Sequence, residues 1–167
     1  SGIYSVRVSN SAGSVLSSGA ALAVDAPVLN FIDLGTLGGD SSNVTAINGN
    51  GVVVGQSTTV DGQQHAFQFA DGRMTDLGTL GGARSAALQL NDAGEIVGWA
   101  ELRDNSQRAF VYRGGRMTDL GTLPGMTSSH ALAINEAGVI VGQSAASFRS
   151  ERAVMWINDA IRDLNTI

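Results

Sequence analysis

The chain has 167 residues, 43% hydrophobic and 15% charged, so it can bury a core and does not have the composition of a disordered segment. Its formal net charge of -5 disfavours a general nucleic-acid role, because phosphate binding asks for a basic face. With no cysteine and two histidines it excludes disulfides, thiolate metal sites and cysteine nucleophiles, and leaves too few imidazoles for a His-rich zinc centre.

Twenty-two glycines against two prolines point to many tight turns, and all ten basic residues are arginine. No apolar run approaches the roughly 20 residues that cross a bilayer, so no membrane span is expected, and no signal peptide is recognisable.

From the amino terminus, Gly2 to Ser14 reads as a strand and a turn, and Ala20-Ala21-Leu22-Ala23-Val24 as a second strand. Asp25-Ala26-Pro27 marks a boundary, and residues 28–37 read as one strand ahead of the repeats.

From there a repeat sets the architecture. Asp-Leu-Gly-Thr-Leu occurs at Asp33, Asp76 and Asp119, and a worn copy, Asp-Leu-Asn-Thr-Ile, runs from Asp163 to Ile167, so the spacings are 43, 43 and 44. Asn48, Asn91 and Asn135 keep the same step, as do Gly55, Gly98 and Gly142, and Phe67, Phe110 and Val154. The extra residue of the last interval falls by Pro124-Gly125-Met126, which marks a loop.

Each repeat predicts four strands. The first covers 44–48, 87–91 and 131–135; the second 52–57, 95–100 and 139–144; the third 65–69, 108–112 and 152–156; the fourth 73–78, 116–121 and 160–164. Asn48-Gly49-Asn50-Gly51, Asn91-Asp92-Ala93-Gly94 and Asn135-Glu136-Ala137-Gly138 share Asn first and Gly fourth, the signature of a type I turn followed by a positive φ. Asp71-Gly72, Gly114-Gly115 and Asn158-Asp159 are two-residue hairpin pairs.

Four-stranded units at about 40–45 residues have the period of a β-propeller. The expectation is an all-β, propeller-like array of about three four-stranded antiparallel blades with a 43–44-residue repeat: strand 28–37, then blades at about 38–80, 81–123 and 124–167. Another all-β solenoid or sandwich built from the same meander is the alternative.

Two resemblances add to this. His65-Ala66-Phe67, the degraded copies Arg108-Ala109-Phe110 and Arg152-Ala153-Val154, the Asp-Leu-Gly-Thr-Leu-Gly-Gly segments at 33–39 and 76–82, and the stretch Ala131 to Gly142 resemble the HAF family of extracellular repeats found in bacteria. The resemblance covers residues from about 31 to 167 and implies a surface or secreted repeat module with no assigned activity and no catalytic residues to carry over. Residues 1–26 resemble the last two strands of a bacterial, disulfide-free immunoglobulin-like domain, with Val6 two after Tyr4, where such domains often carry a cysteine. The domain division expected is therefore 1–26 and 27–167, in a chain read as part of a larger secreted or surface protein.

Residues present in every repeat read as architecture. Asp33, Asp76, Asp119 and Asp163 are expected to make structural hydrogen bonds; calcium would need more converging oxygen ligands. No cofactor is expected, and calcium is possible but not indicated. Ser42, Ser85 and Ser129 read as caps for backbone groups, and no Gly-x-Ser-x-Gly elbow is present. Function is sought in the departures from the repeat. His130 stands where the other copies have Asn43 and Ala86, and His65 where they have arginine. Asp40 and Arg84 lie in equivalent loops, and Asp61, Arg103, Asp104, Arg149 and Glu151 lie in the loops between second and third strands. Trp99 stands in place of Gln56 and Gln143, whereas Trp156 aligns with Phe69 and Tyr112 and reads as packing between blades. The candidate ligand-binding rim is Asp40, Arg84, Trp99, Arg103, Asp104, His130 and Arg149; no catalytic or metal residue is assigned.

The expected function is a non-catalytic extracellular module that acts as a scaffold or as a glycan- or protein-binding adhesion unit. Self-association through open blade edges is expected, and nucleic acid is not expected as a partner. The alternatives are a carbohydrate-active enzyme, which would need two carboxylates at a defined separation such as Asp104 and Glu151 in one cleft, and a self-assembling subunit of a surface fibre or layer.

Overall fold

A strand sends successive side chains to opposite faces, so a sheet whose third strand reads Arg-Ala-Phe-Val-Tyr must bury both faces. A computed structural model, which describes residues 2–22, 31–147 and 150–166, places such sheets in series. The chain forms two compact units, Ser1–Asp33 and Leu34–Ile167; Asp25-Ala26-Pro27, the boundary expected, lies outside the described residues.

In the first unit, β1 (Gly2–Tyr4) pairs with β4 (Ala20–Leu22) and β2 (Arg7–Asn10) with β3 (Gly13–Leu16), all antiparallel. Ser17 joins the pairs: its N–H donates to Val6 O and its Oγ accepts the Val6 N–H, both at 2.9 Å. The result is one long hairpin; β3 forms where the sequence reading had the turn ending at Ser14 and no strand before Ala20. Asn10 Oδ1 caps its turn by accepting the Ala12 N–H. Val8 and Val15 are about two-thirds exposed or more (68% and 74%), so β2 and β3 bury little apolar surface.

The second unit holds three four-stranded antiparallel sheets. The first is β5 (Gly38–Ile47), β6 (Val53–Thr59), β7 (Gln64–Ala70) and β8 (Arg73–Gly78). The second is β9 (Ser85–Leu90), β10 (Ile96–Glu101), β11 (Gln107–Arg113) and β12 (Arg116–Asp119). The third is β13 (Ser128–Ile134), β14 (Ile140–Ser147), β15 (Ser150–Ile157) and β16 (Ala160–Asp163), followed by a single 3₁₀ turn, Leu164–Thr166. Among the described residues no sheet closes on itself. The strand expected over 28–37 differs: residues 31–36 form no strand, and Leu37 makes one parallel bridge to Thr59. The Leu37 N–H is taken instead by Ser57 Oγ at 2.9 Å. Residues 28–30 lie outside the described residues.

The sheets stack face to face through their first strands: β9 packs on β5, β6 and β7, and β13 on β9, β10 and β11. Val54, Ala66 and Leu77 of the first sheet meet Ala87, Ile96 and Phe110 of the second. The opposite face of the second sheet presents Val97, Ala109, Val111 and Leu120 to Ala131, Ile140, Val154 and Trp156. Ile96 and Val97 are both fully buried, on opposite faces, as strand alternation requires. The Trp156 indole N–H is also satisfied, by Leu120 O at 2.8 Å.

Three repeated devices fix this stacking. The first is a bulge in each first strand, where the register shifts at Val44/Ala46, at Ala87 opposite Gly98, and at Ala131/Ala133. The carbonyl before each bulge turns toward the second strand, so a Cβ at Gly55, Gly98 or Gly142 would lie 1.9–2.0 Å from the oxygen of Asn43, Ala86 or His130. That close approach explains glycine there.

The second device is the serine set. Ser42, Ser85 and Ser129 Oγ donate to Gly35, Gly78 and Gly121 O at 2.5–2.8 Å. Ser85 and Ser129 Oγ also accept the Ala66 and Ala109 N–H across the sheet boundary at 2.8 and 2.9 Å. The third device is the asparagine turn. Each Asn Oδ1 accepts the N–H four residues on, and Asn48 Nδ2 donates to Asn91 O and Asn91 Nδ2 to Asn135 O. These side-chain bonds draw each Asn out of the strand it was expected to end and into the turn.

Candidate functional site

The starts of β9 and β13 and the β10–β11 and β14–β15 connections lie at the same end of their sheets, because Ser85 pairs with Ala100 and Ser128 with Ala145. That end is the rim expected to carry the non-repeated residues. Trp99 and His130 meet there from neighbouring sheets, with ring centroids 5.8 Å apart and planes tilted by 33°. His130 Nε2 lies 2.7 Å from Gln107 Oε1, so that nitrogen carries the proton of this bond. Burial pushes the His130 imidazole below its ordinary value, against a smaller upward pull from Glu151, so the neutral ring is the form held at neutral pH.

Beside this pair opens a cleft of about 250 Å³ lined by Gln107, Ser128, His130, Gln143, Ala145 and Glu151, among others. The repeat explains why it is open. Ser128, Ala145 and Ala146 stand where the second sheet has Arg84, Glu101 and Leu102. In the second sheet the Arg84 Nε and Nη2 both bond Glu101 Oε1, at 2.9 and 2.7 Å, and the Glu101 side chain is 4% exposed. The third sheet replaces that ion pair with a hydroxyl and a methyl group, and the neighbouring Leu102 with another methyl, and space remains. Its lining mixes two carboxamides, a hydroxyl, a neutral imidazole and one carboxylate, and Trp99 lies against the His130 ring. Such a set can donate and accept hydrogen bonds to a polar, uncharged ligand with Trp99 beside it.

Of the other rim candidates, those described do not line this cleft. Arg84 is held by Glu101, which raises its guanidinium pKa through that hydrogen bond and charge. The Arg103 side chain lies over Gly81, where a Cβ would meet its Cγ at 3.3 Å. Asp104 caps its own turn through Ser106 N and Oγ at 3.0 and 2.6 Å, which lowers its pKa. Asp40 is an exposed residue of β5 in the first sheet. Arg149 lies outside the described residues. Gln107, Ser128, Gln143 and Ala145 were not singled out in the sequence. The signal available was positional: Gln107 occupies the place of Gln64 and Glu151, and Gln143 that of Gln56 and Trp99.

Three of the repeated aspartates make the same pair of contacts. Asp76, Asp119 and Asp163 each accept the N–H two residues on with Oδ1, at 2.7–2.8 Å. Their other oxygens face His65, Arg108 and Arg152 at 2.8, 3.9 and 3.4 Å. His65 thus holds the place of an arginine opposite a carboxylate. Among the described residues no group of three or more acidic or imidazole side chains is arranged to hold a metal ion, and no helix is long and apolar enough to cross a membrane.

In comparison with known proteins, no family model, no curated protein and no solved structure matches this chain.

Proposed function

We propose that this chain is a non-catalytic extracellular repeat module of the HAF type, whose sheets are propeller blades and whose cleft beside Trp99 and His130 takes a neutral glycan. The observation that carries this reading is the meeting of the two rim residues that depart most from the repeat, Trp99 and His130, next to a cleft opened by Ser128 and Ala145. Amides, a hydroxyl and an imidazole lining a cleft, with an indole packed on that imidazole, suit a sugar, which offers many hydroxyls and apolar C–H faces. The propeller reading is supported by the four-strand period and by the stacking of successive sheets through their first strands. Extracellular placement and the immunoglobulin-like character of residues 1–26 rest on the sequence resemblances.

The reading is of binding rather than hydrolysis because Glu151 lines the cleft without a second carboxylate among the described lining residues. Asp104, its suggested partner, is engaged by Ser106, and glycoside hydrolysis uses two acids flanking one bond. The test is a glycan and polysaccharide binding screen of the chain, with and without calcium. A saturable ligand whose affinity falls at least about tenfold in Trp99→Ala and in Gln107→Ala fits this reading. A folded chain that binds no glycan, or binds one equally well in both variants, overturns it.

A further inference from the structure

The sequence has two Asn-Gly pairs, and both fall in one turn, Asn48-Gly49-Asn50-Gly51. In such a pair glycine offers a main-chain nitrogen unhindered by a side chain, so that nitrogen can attack the carboxamide carbon of the asparagine before it. The other copies of the turn have alanine in the place of Asn50, at Ala93 and Ala137. All three residues are exposed, on the inner second sheet as on the first and third, so exposure belongs to this position of the turn. The turn joins β5 to β6, at the end of the sheets opposite the cleft.

The two asparagines are held differently. Asn48 is engaged through both ends of its carboxamide: Oδ1 accepts the Asn50 and Val52 N–H at 3.1 and 2.9 Å, and Nδ2 donates to Asn91 O at 3.0 Å. The nitrogen that would attack it, Gly49 N, gives its proton to Asp92 Oδ1 at 2.8 Å. Asn50 makes one side-chain bond among the described residues, from Nδ2 to Asp92 O at 2.9 Å. Its attacking nitrogen, Gly51 N, donates to Asn48 O at 3.1 Å, and nothing lies within 4 Å of the place a Gly51 side chain would take. Bonds at the tip of an exposed turn open far more often than those of the core, and each opening frees Gly51 N.

We propose that Asn50 is a site of spontaneous deamidation, and that its conversion loosens the turn contact between the first and second sheets. Gly51 N bonds to Asn50 Cγ, the Cγ–Nδ2 bond breaks, and Nδ2 leaves as ammonia with the proton that Gly51 N gives up. Water then opens the cyclic imide at either carbonyl, which yields aspartate or, with an extra methylene in the main chain, isoaspartate. Either product loses the amide donor to Asp92 O. Aspartate sets a carboxylate against that carbonyl, beside the Asp92 carboxylate that holds the Gly49 N–H. Isoaspartate lengthens the turn and moves Gly51 N away from Asn48 O. The matching contact of the next boundary, from the Asp92 N–H to the Glu136 carboxylate at 3.1 and 3.2 Å, has Ala93 in the turn and is not open to this chemistry.

The experiment is prolonged incubation of the folded 167-residue chain at mildly alkaline pH, followed by peptide mapping by mass spectrometry that separates aspartate from isoaspartate. The peptide holding residues 48–51 should gain the mass shift of amide to acid, placed by fragmentation at Asn50, with isoaspartate among the products and Asn48 still an amide. In guanidinium, where the turn is gone, Asn48 and Asn50 should convert at similar rates. Asn50→Gln keeps the amide but closes the larger imide ring slowly, and should abolish the conversion without loss of folding. Conversion at Asn48 ahead of Asn50 in the folded chain overturns the proposal, as does a folded chain that keeps both amides while the unfolded chain loses them. For the effect on the turn, Asn50→Asp should speed hydrogen exchange of the Gly49 N–H several-fold relative to Asn50→Ala and leave the Asp92 N–H unchanged. Equal exchange in the two variants overturns the loosening.

Discussion

Ser129 Oγ accepts the Ala109 N–H at 2.9 Å across the boundary between the second and third sheets, while its own proton goes to Gly121 O at 2.6 Å. One buried hydroxyl thus serves two backbone groups, one in β11 and one two residues past the end of β12. Its counterpart Ser85 does the same for Ala66 and Gly78. Substituting Ser129→Ala leaves a buried N–H without a partner, which costs about 1–3 kcal/mol. Urea unfolding should show this loss for Ser129→Ala and Ser85→Ala alike, and clearly less for Ser42→Ala, whose residue is exposed. Equal losses at all three positions would contradict a role in joining sheets.

Glycines of two kinds are predicted to respond differently. Gly98 has no positive φ, yet a Cβ there would lie 2.0 Å from Ala86 O. Gly98→Ala must push the bulge away and should cost about 3 kcal/mol or more, at the upper end of overpacking effects. Gly94 has φ +81° and open space around it. Gly94→Ala meets backbone strain alone and should cost about 1–2 kcal/mol. Thermal melts of the two variants should rank them in that order.

The pH response of His130 follows from its surroundings. Burial lowers its pKa in the folded chain, with Glu151 acting in the opposite direction. The unfolded chain therefore takes up the proton first as pH falls, so this residue's contribution is present above about pH 6.5 and is lost below it. Wild type should lose more stability than His130→Gln between about pH 7.5 and about pH 5.5, a window above the ordinary carboxylate range. Urea midpoints at the two pH values give the difference directly. Parallel losses would mean that the imidazole is not held neutral.

The repeated aspartates separate a hydrogen-bonding role from a charge role. Asp119 Oδ1 accepts the Gly121 N–H at 2.8 Å, and Arg108 Nε stands 3.9 Å from Oδ2. Its side chain is 37% exposed, so the ion pair is worth at most about 1 kcal/mol. Asp119→Asn keeps an acceptor and should be nearly neutral, whereas Asp119→Ala should cost about 1 kcal/mol through the lost turn bond. Chemical denaturation of both variants, repeated at high salt, would expose any larger contribution from charge.

Much of the fold was legible because the repeat supplies its own alignment. Arg73–Gly78 was placed to the residue, and the third strands extend one or two residues beyond 65–69, 108–112 and 152–156. Trp156, read from its alignment with Phe69 and Tyr112, is fully buried between sheets. The misses have local causes. Asp119 and Asp163 end their strands because no pairing continues beyond them, whereas in the first sheet Gly78 pairs with Ala66 after a bulge and carries β8 on. The first strands begin earlier than expected, at Gly38, Ser85 and Ser128, because polar pairs such as Ser42 with Ser57 continue the ladder where hydrophobic alternation gives no sign.

The site was half legible. Trp99 and His130 stood out as departures from the repeat, and they touch. Gln107, Ser128 and Ala145 did not, because what matters at Ser128 and Ala145 is the bulk they lack relative to Arg84 and Glu101. A missing side chain leaves no mark in a single copy; it shows when the copies are superposed.

The asparagine ladder has a direction: each amide hands its hydrogen to the carbonyl one repeat further along, from Asn48 to Asn91 to Asn135. Every junction therefore has the same grammar, a giver on one side and a taker on the other. A gene that duplicates or deletes one 43- or 44-residue period rejoins a giver to a taker, and the seam reads as any other. Arrays of this kind can change length in single genetic steps without inventing a new interface.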